Sequence, residues 1–263
     1  MKLLSSPTNK FMTRYFIELA YNGSRYHGWQ IQPDASSIQG ELNRALSTLL
    51  REEIDVVGAG RTDTGVHASF YVAHFDCTEP ITAPERLAYK LNRMTGKDIA
   101  ISRIYQVAPN RHARFSALSR TYKYYIDKQK NPFTCDYAWK VFPLPDVRKM
   151  NEACQALFDY TDFTSFSKLH TDAKTNDCTI MEAHWEETDA QLIFTIKANR
   201  FLRNMVRAIV GTLLEVGQGK LPLEEFRKII ESKDRCQAGS SVPGHALFLC
   251  DITYPENEIQ IQK

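Results

Sequence analysis

An arginine and a carboxylate two residues apart, fenced by glycines, are the side chains best equipped for chemistry in this chain. They sit in Gly58-Ala59-Gly60-Arg61-Thr62-Asp63-Thr64-Gly65-Val66-His67-Ala68. A carboxylate in such a loop can attack an electrophilic carbon or accept a proton, and a neighbouring guanidinium can hold an anion or lean on a planar ring. Three glycines in eight residues call for a sharp turn, a positive φ or the close approach of another group. Loops on a rigid scaffold are where chemistry tends to sit. Taken alone, the same residues also fit a tight hairpin whose Asp63 caps its own backbone.

Such a loop needs rigid elements on both sides. The apolar run Ile54-Asp55-Val56-Val57 reads as a strand leading in, and Phe70-Tyr71-Val72-Ala73-His74-Phe75 as a strand leading out. Before them, residues 14–21 alternate, with Tyr15, Ile17, Leu19 and Tyr21 on one side. The loop that follows carries Trp29, whose simplest role is packing. Ser36-Ser37-Ile38-Gln39 fits a capping box with Ser36 as N-cap, opening a helix marked by Ile38, Leu42, Ala45, Leu46 and Leu49 up to about Arg51. Residues 85–94 read as a second helix, with Pro84 in its first turn. Residues 99–107 alternate as a strand. The resulting order is strand, helix, strand, strand, helix, strand, which is the split βαβ, ferredoxin-like arrangement.

The second half repeats that order with insertions. Residues 109–116 mark a boundary. A strand over 118–126 carries Arg120, Tyr122, Tyr124 and Ile126 on one face, and a helix over 145–158 follows. Residues 168–177 are polar and read as a mobile loop. Residues 181–185 and 192–198 form a hairpin around Thr188-Asp189-Ala190. Leu202, Met205, Val206, Ile209, Val210, Leu213 and Leu214 mark a helix, with Arg200, Arg203 and Arg207 along one edge of its stripe. A shorter helix over 222–231 and a strand over 246–254 close the order. The fold class expected is α+β: two ferredoxin-like (RRM-like) subdomains in pseudo-repeat, with antiparallel sheets side by side and a central basic cleft. The expected boundaries are a disordered tail over 1–11, an N-terminal domain over 12–110 with the Asp63 loop, and a C-terminal domain over 111–263.

Composition narrows the function. The chain has 263 residues, 43% of them hydrophobic and 24% charged, enough for one large core or two of ordinary size. Six cysteines lie scattered without a Cys-x-x-Cys pair. That pattern argues against a zinc site or a disulfide framework and fits a reducing, cytoplasmic setting. No apolar run reaches the ~18 residues of a membrane helix. The net charge is only +2, yet its distribution is uneven. Residues 99–126 hold Arg103, Arg111, Arg114, Arg120 and Lys123 without an acid, and residues 190–214 hold Lys197, Arg200, Arg203 and Arg207 without an acid. The rest of the chain is therefore net acidic. Two basic windows that also carry aromatics fit a phosphate-binding, RNA-binding surface.

The segment Gly-Arg-Thr-Asp-Thr-Gly-Val-His-Ala at 60–68 resembles the catalytic-loop motif of the tRNA pseudouridine synthases of the A (TruA) family. The likeness extends to Arg111-His112-Ala113-Arg114-Phe115-Ser116, to Asp162-Phe163-Thr164-Ser165-Phe166 and to Asn204-Met205-Val206-Arg207, and covers residues 14–255. The resemblance implies an isomerase that cleaves the N1–C1′ bond of uridine and rejoins C1′ to C5, in the anticodon stem-loop of tRNA at positions 38, 39 and 40. That chemistry needs no metal and no cofactor. It implies Asp63 as the catalytic carboxylate, acting on the sugar or on the base. It implies Arg61 as an RNA contact that fills the space of the extruded base, Tyr122 as the ring stacked on the uracil, Arg207 as the partner of Asp63, and Leu247 as an apolar support beneath the base. Arg111, Arg114, Arg120, Arg200 and Arg203 are the expected contacts to the RNA backbone. A homodimer is implied as well, one protomer helping to grip RNA modified by the other. A ferredoxin-like RNA-binding module without catalysis would keep the basic windows and need no aspartate. A glycosidase-like hydrolase would need two carboxylates, and the loop holds one.

Overall fold

The computed structural model describes residues 12–168 and 175–255. The tail expected over 1–11 and most of the loop expected over 168–177 lie outside the described residues. The elements are β1 (Thr13–Tyr21), α1 (Ile38–Leu50), β2 (Val57–Gly58), β3 (His67–Cys77), α2 (Pro84–Met94), β4 (Ile99–Val107), β5 (Ser119–Asp127), β6 (Trp139–Lys140), α3 (Val147–Ala156), β7 (Ile180–Glu187), β8 (Gln191–Ala198), α4 (Met205–Gly217), α5 (Leu223–Ser232) and β9 (Leu247–Thr253). Among the described residues, no helix is long and apolar enough to cross a membrane.

The alternating segments form strands close to where their pattern places them, and three local expectations change. The N-cap of α1 is Ser37, whose side chain accepts from Gly40 N–H, not Ser36. Gln39 is released from capping. It is buried, donates to Val56 O at 2.8 Å and accepts from Ile31 N–H at 3.0 Å. The strand expected over 54–57 shrinks to the two residues of β2, because side chains of α1 take its backbone groups. Ser47 Oγ accepts from Ile54 N–H at 2.9 Å and Asn43 Oδ1 from Val56 N–H at 2.9 Å. The third change concerns α4. Asn204, just before it, has φ +68°, which breaks the helical path, so Arg200 and Arg203 precede the helix and only Arg207 lies on it.

The strands form a single nine-stranded sheet in the order β4-β1-β3-β9-β5-β8-β7, with β2 also on β3 and β6 also on β5. Two antiparallel sheets joined side by side were expected, without a parallel pairing between them. The last strand instead welds them into one mixed sheet. β9 runs antiparallel to β5 and parallel to β3, with His67 opposite Phe248 and Ala68 opposite Leu249. This pairing joins residues 181 positions apart, which no local pattern specifies.

Two buried clusters flank this seam, and each borrows from the other half. Val66, at the exit of the Asp63 loop, is buried in the cluster built by β5, β7, β8 and α3 to α5. Leu249, Ile252 and Tyr254 are buried in the cluster built by β1, β3, β4, α1 and α2. Burying such a side chain is worth about 1.5–3 kcal/mol. The exchange therefore fixes the two halves against each other. The connection between β4 and β5 adds polar ties. Arg14 donates to Arg111 O at 2.7 Å while pairing with Asp76 at 2.7 Å. His74 Nδ1 accepts from Ala113 N–H at 3.2 Å, and the Tyr254 hydroxyl donates to Ala113 O at 2.5 Å.

That connection makes stability depend on acid. Burial, helped by the charges of Arg14 and His112, pushes the buried His74 down from 6.5 to about 4. His67 and His112 are lowered too, mainly by burial. In the unfolded chain these rings titrate normally. The unfolded state thus binds more protons below about pH 6.5, and stability must fall as the pH drops from there towards about 4, by roughly 1.4 kcal/mol per pH unit for one fully shifted group. We expect Tm to decline across this window and His74→Asn to flatten the slope; equal slopes in both proteins would remove His74 from the account.

Candidate active site

The loop between β2 and β3 is held from inside by aromatic rings. Trp29 stacks on Tyr71 at 4.2 Å between centroids, and Tyr21 meets Tyr71 edge-on at 5.5 Å. The Tyr71 hydroxyl donates to Gly60 O, and Trp29 N–H donates to Thr62 O at 3.2 Å. Thr62 is buried, and its hydroxyl shares a 2.9 Å hydrogen bond with Tyr21. Trp29 therefore serves packing, as the sequence suggested. Two glycines are required. Gly28 has φ +88°, and a Cβ there would lie 2.3 Å from Thr62 O. Gly65 has φ +76°, and this turn lets Val66 N–H donate to Asp63 O at 3.1 Å. With Thr62 anchored inward, its neighbours must point the other way: Arg61 is exposed, and Asp63 is only partly exposed.

Arg207 meets Asp63 from the far side of the seam. Arg207 Nη1 lies 3.3 Å from Asp63 Oδ2, and both side chains are about three-quarters buried, at 22% and 24% exposure. The guanidinium is aimed by its Nε, which donates to Val242 O at 2.7 Å. Arg207 O in turn accepts from Val242 N–H at 3.2 Å. Almost every other residue of α4 is buried, so Arg207 marks the face of that helix open to the Asp63 loop. The contact uses one nitrogen and one oxygen. Partly exposed pairs of this kind are worth about 0–1 kcal/mol. Stability is thus a poor explanation for it, and orientation of the carboxylate a better one.

Tyr122 lies on β5 between Ile196 of β8 and Leu249 of β9, at a bulge between Thr121 and Tyr122. Its ring is half-buried, touches both clusters, and meets Phe201 edge-on at 5.2 Å and 88°. Burial raises the phenol well above the ordinary tyrosine range; the Arg120 charge opposes this, and the Asp63 charge adds to it. Tyr122 therefore offers an apolar face and a neutral hydroxyl, and any proton role begins from that neutral form. Of the three residues expected to cooperate, Asp63 and Arg207 are in contact, and Tyr122 lies one strand from the β3–β9 pairing, opposite Leu249.

The remaining expected contacts divide. Leu247 opens β9, opposite Tyr124, and is buried in the same cluster as Val66. Arg114 is exposed, with its guanidinium 5.6 Å from the Phe115 ring. Arg203 is exposed, and Arg200 donates to Thr175 Oγ1 at 3.3 Å. Arg111 is half-buried, and its carbonyl is held by Arg14. Arg120 is spent inside the fold. Its guanidinium donates to Ala59 O at 3.0 Å, Arg114 O at 2.5 Å, Ala117 O at 3.1 Å and Asn199 O at 2.8 Å. Burial lowers its pKa. It staples the entrance of the Asp63 loop to the second half. Two groups went unassigned in the sequence. Val242 acts through a backbone carbonyl, which leaves no trace in residue type. His67 stood inside the motif without a role.

Both sides of the Asp63–Arg207 contact fall within segments matched by a family model described as tRNA pseudouridine synthase, residues 19–116 and 153–255. A protein of Parabacteroides distasonis named tRNA pseudouridine synthase A is 57% identical over 251 residues, which cover 95% of this chain and all of the relative. Its namesake in Bacteroides thetaiotaomicron is 59% identical over 249 residues, covering 94% and 92%. That of Bacillus subtilis is 40% identical over 241 residues, covering 90% and 97%. Among solved structures, a Cbf5-Nop10-Gar1 complex overlaps 76% of this chain and 54% of its own at 11% identity, with a TM-score of 0.29, a likeness too slight to bear on the fold. The motif, the geometry around it and these matches along nearly the full length agree that the chain belongs to the tRNA pseudouridine synthase family.

Proposed function

We propose that this protein isomerises uridine to pseudouridine in the anticodon stem-loop of tRNA, with Asp63 as its essential carboxylate. The observation that carries the reading is the meeting of Asp63, in its glycine-bounded loop, with Arg207 from a helix 144 residues away. The reaction breaks the N1–C1′ bond and makes a C5–C1′ bond. N1 gains a proton and C5 loses one, so atoms and electrons balance within the uridine and solvent. Asp63 acts as nucleophile or as proton acceptor, on the sugar or the base. Arg207 holds the carboxylate towards the substrate. Tyr122 supplies a flat face for the uracil, and stacking of this kind is worth roughly 1–3 kcal/mol. Extrusion of the uridine costs a few kcal/mol. Arg61, exposed beside Asp63, is the side chain that takes the vacated space.

The strand orders support a reading of the chain as two ferredoxin-like units in pseudo-repeat, divided near residue 110. The first half runs β4-β1-β3 with β2 on β3, and the second runs β9-β5-β8-β7, the same relative order of four strands. RNA is taken at their junction, where the Asp63 loop meets Arg207. Arg114, Arg200 and Arg203 remain its candidate phosphate contacts, whereas Arg120 belongs to the fold. A cytoplasmic homodimer, in which one protomer steadies tRNA modified by the other, completes the reading.

Asp63→Ala is expected to abolish tritium release from tRNA carrying C5-labelled uridine, with no cofactor added. tRNA affinity should stay within about tenfold, a difference of ~1.4 kcal/mol. Wild-type release by the variant would refute the assignment. Arg207→Ala is expected to slow turnover by about 100-fold or more, as loss of a preorganised charge does. Its Tm should drop by no more than about 4 °C, since a partly exposed pair adds at most ~1 kcal/mol. Loss of activity in step with unfolding would instead reduce Arg207 to a structural residue.

A further inference from the structure

Residues 242–246 form a short strap whose carbonyls are gripped by side chains from three different elements. Val242 O accepts from Arg207 of α4 at 2.7 Å, Pro243 O from the Tyr124 hydroxyl of β5 at 3.1 Å, and His245 O from His67 of β3 at 2.9 Å. The strap is thus the base on which Arg207 is aimed. The Asp63 loop leans on the same strap. A Cβ on Gly244 would lie 2.7 Å from Thr64 O, and one on Gly65 would lie 3.9 Å from His245 N.

Of the three gripping side chains, only His67 comes from Asp63's half of the sheet. Its Nδ1 accepts from Gly23 N–H at 3.0 Å. An amide can only donate, so Nδ1 carries no proton, and Nε2 carries the proton given to His245 O. The neutral ring is thereby fixed in tautomer and in orientation. It is 1% exposed and stacked on Phe248 at 4.6 Å. Its two nitrogens meet two different segments. Gly23 belongs to the turn after β1, beside the loop: a Cβ there would lie 2.0 Å from Val66 O. The strap belongs to the second half. A rigid five-membered ring between them sets one distance, in contrast to a flexible side chain.

We propose that His67 is a positioning residue for the isomerisation: bridging Gly23 N–H and His245 O, it fixes the Asp63 loop against the strap that aims Arg207. It touches no substrate and acts through the Asp63–Arg207 separation. This rests on the reading of that pair as the reaction centre. The competing role is simple packing on Phe248, and the two roles separate experimentally.

His67→Phe keeps a ring over Phe248 and removes both hydrogen bonds. His67→Gln keeps an amide able to reach His245 O. In the full-length protein with unmodified tRNA transcript, His67→Phe is expected to lower the single-turnover rate about 100-fold, the scale of a 1 Å misplacement. Its tRNA affinity should stay within about threefold, a loss confined to the chemical step. His67→Gln should recover about tenfold of the lost rate, the part owed to the bond to His245 O. In an Arg207→Ala background, His67→Phe should cost little more, because both changes act on one separation. Wild-type rates in His67→Phe overturn the proposal. So do equal losses in both variants that track a falling Tm, and so does full additivity with Arg207→Ala. A wild-type protein that makes no pseudouridine refutes the proposed function itself, an outcome distinct from these.

Discussion

The contact between Asp63 and Arg207 is weak, and the rest of the molecule is what brings it about. It joins two residues 144 apart, and neither half of the chain owns it alone. At about 1 kcal/mol or less, it cannot hold the halves in register. The causal direction runs the other way, from the cores to the pair. Val66, three residues after Asp63, is buried in the second half's cluster, while Leu249, Ile252 and Tyr254 are buried in the first. Each of these contributes about 1.5–3 kcal/mol on burial. The parallel seam of β3 and β9 and the four carbonyl bonds of Arg120 add to them. Large, non-directional forces thus place two small, directional groups within hydrogen-bond reach.

The same division appears along the loop itself. Its buried edge is over-determined: Thr62, Trp29, Tyr21 and Tyr71 form one connected set of rings and hydroxyls. Its open edge carries Arg61, Asp63 and Thr64, with only Asp63 partly shielded. A carboxylate on such an edge keeps its orientation without being sealed from a large ligand. That combination suits a substrate whose reacting base must be swung out of a stack and delivered from outside. Tyr122 extends the pattern across the seam. Half of its ring is packed among both clusters, which leaves a supported face in place of a mobile one.

How far the sequence revealed this depends on which forces decide each feature. Alternation in residues 99–107 and the hairpin of β7 and β8 were legible because one buried face dictates a period of two. Residues 54–56 misled because Ser47, Asn43 and Gln39 satisfy their backbone, and side-chain competition of that kind is invisible to periodicity. The seam was illegible for a different reason: β9 chooses both β5 and β3 by tertiary packing. Asp63 and Arg207 were found through family likeness, since a glycine-flanked aspartate has many harmless uses. Arg120 shows the limit of charge counting. Its sign was visible and suggested phosphate, but its burial was not, and burial turned it into a donor for four carbonyls.

The placement of Arg207 is itself an argument for its role. It is the third residue of α4, within the first turn, where the helix dipole disfavours a cation by roughly 0.3–1 kcal/mol. It also sits on a helix whose other positions are nearly all buried, so its charge gives up part of its hydration. On both counts an apolar residue would stabilise the fold better. The contacts that offset this are Val242 O and Asp63. The first aims the guanidinium and the second receives it. A cation kept in a position that helix energetics oppose, paired among the described residues with Asp63, is better accounted for by the orientation it gives that carboxylate than by stability.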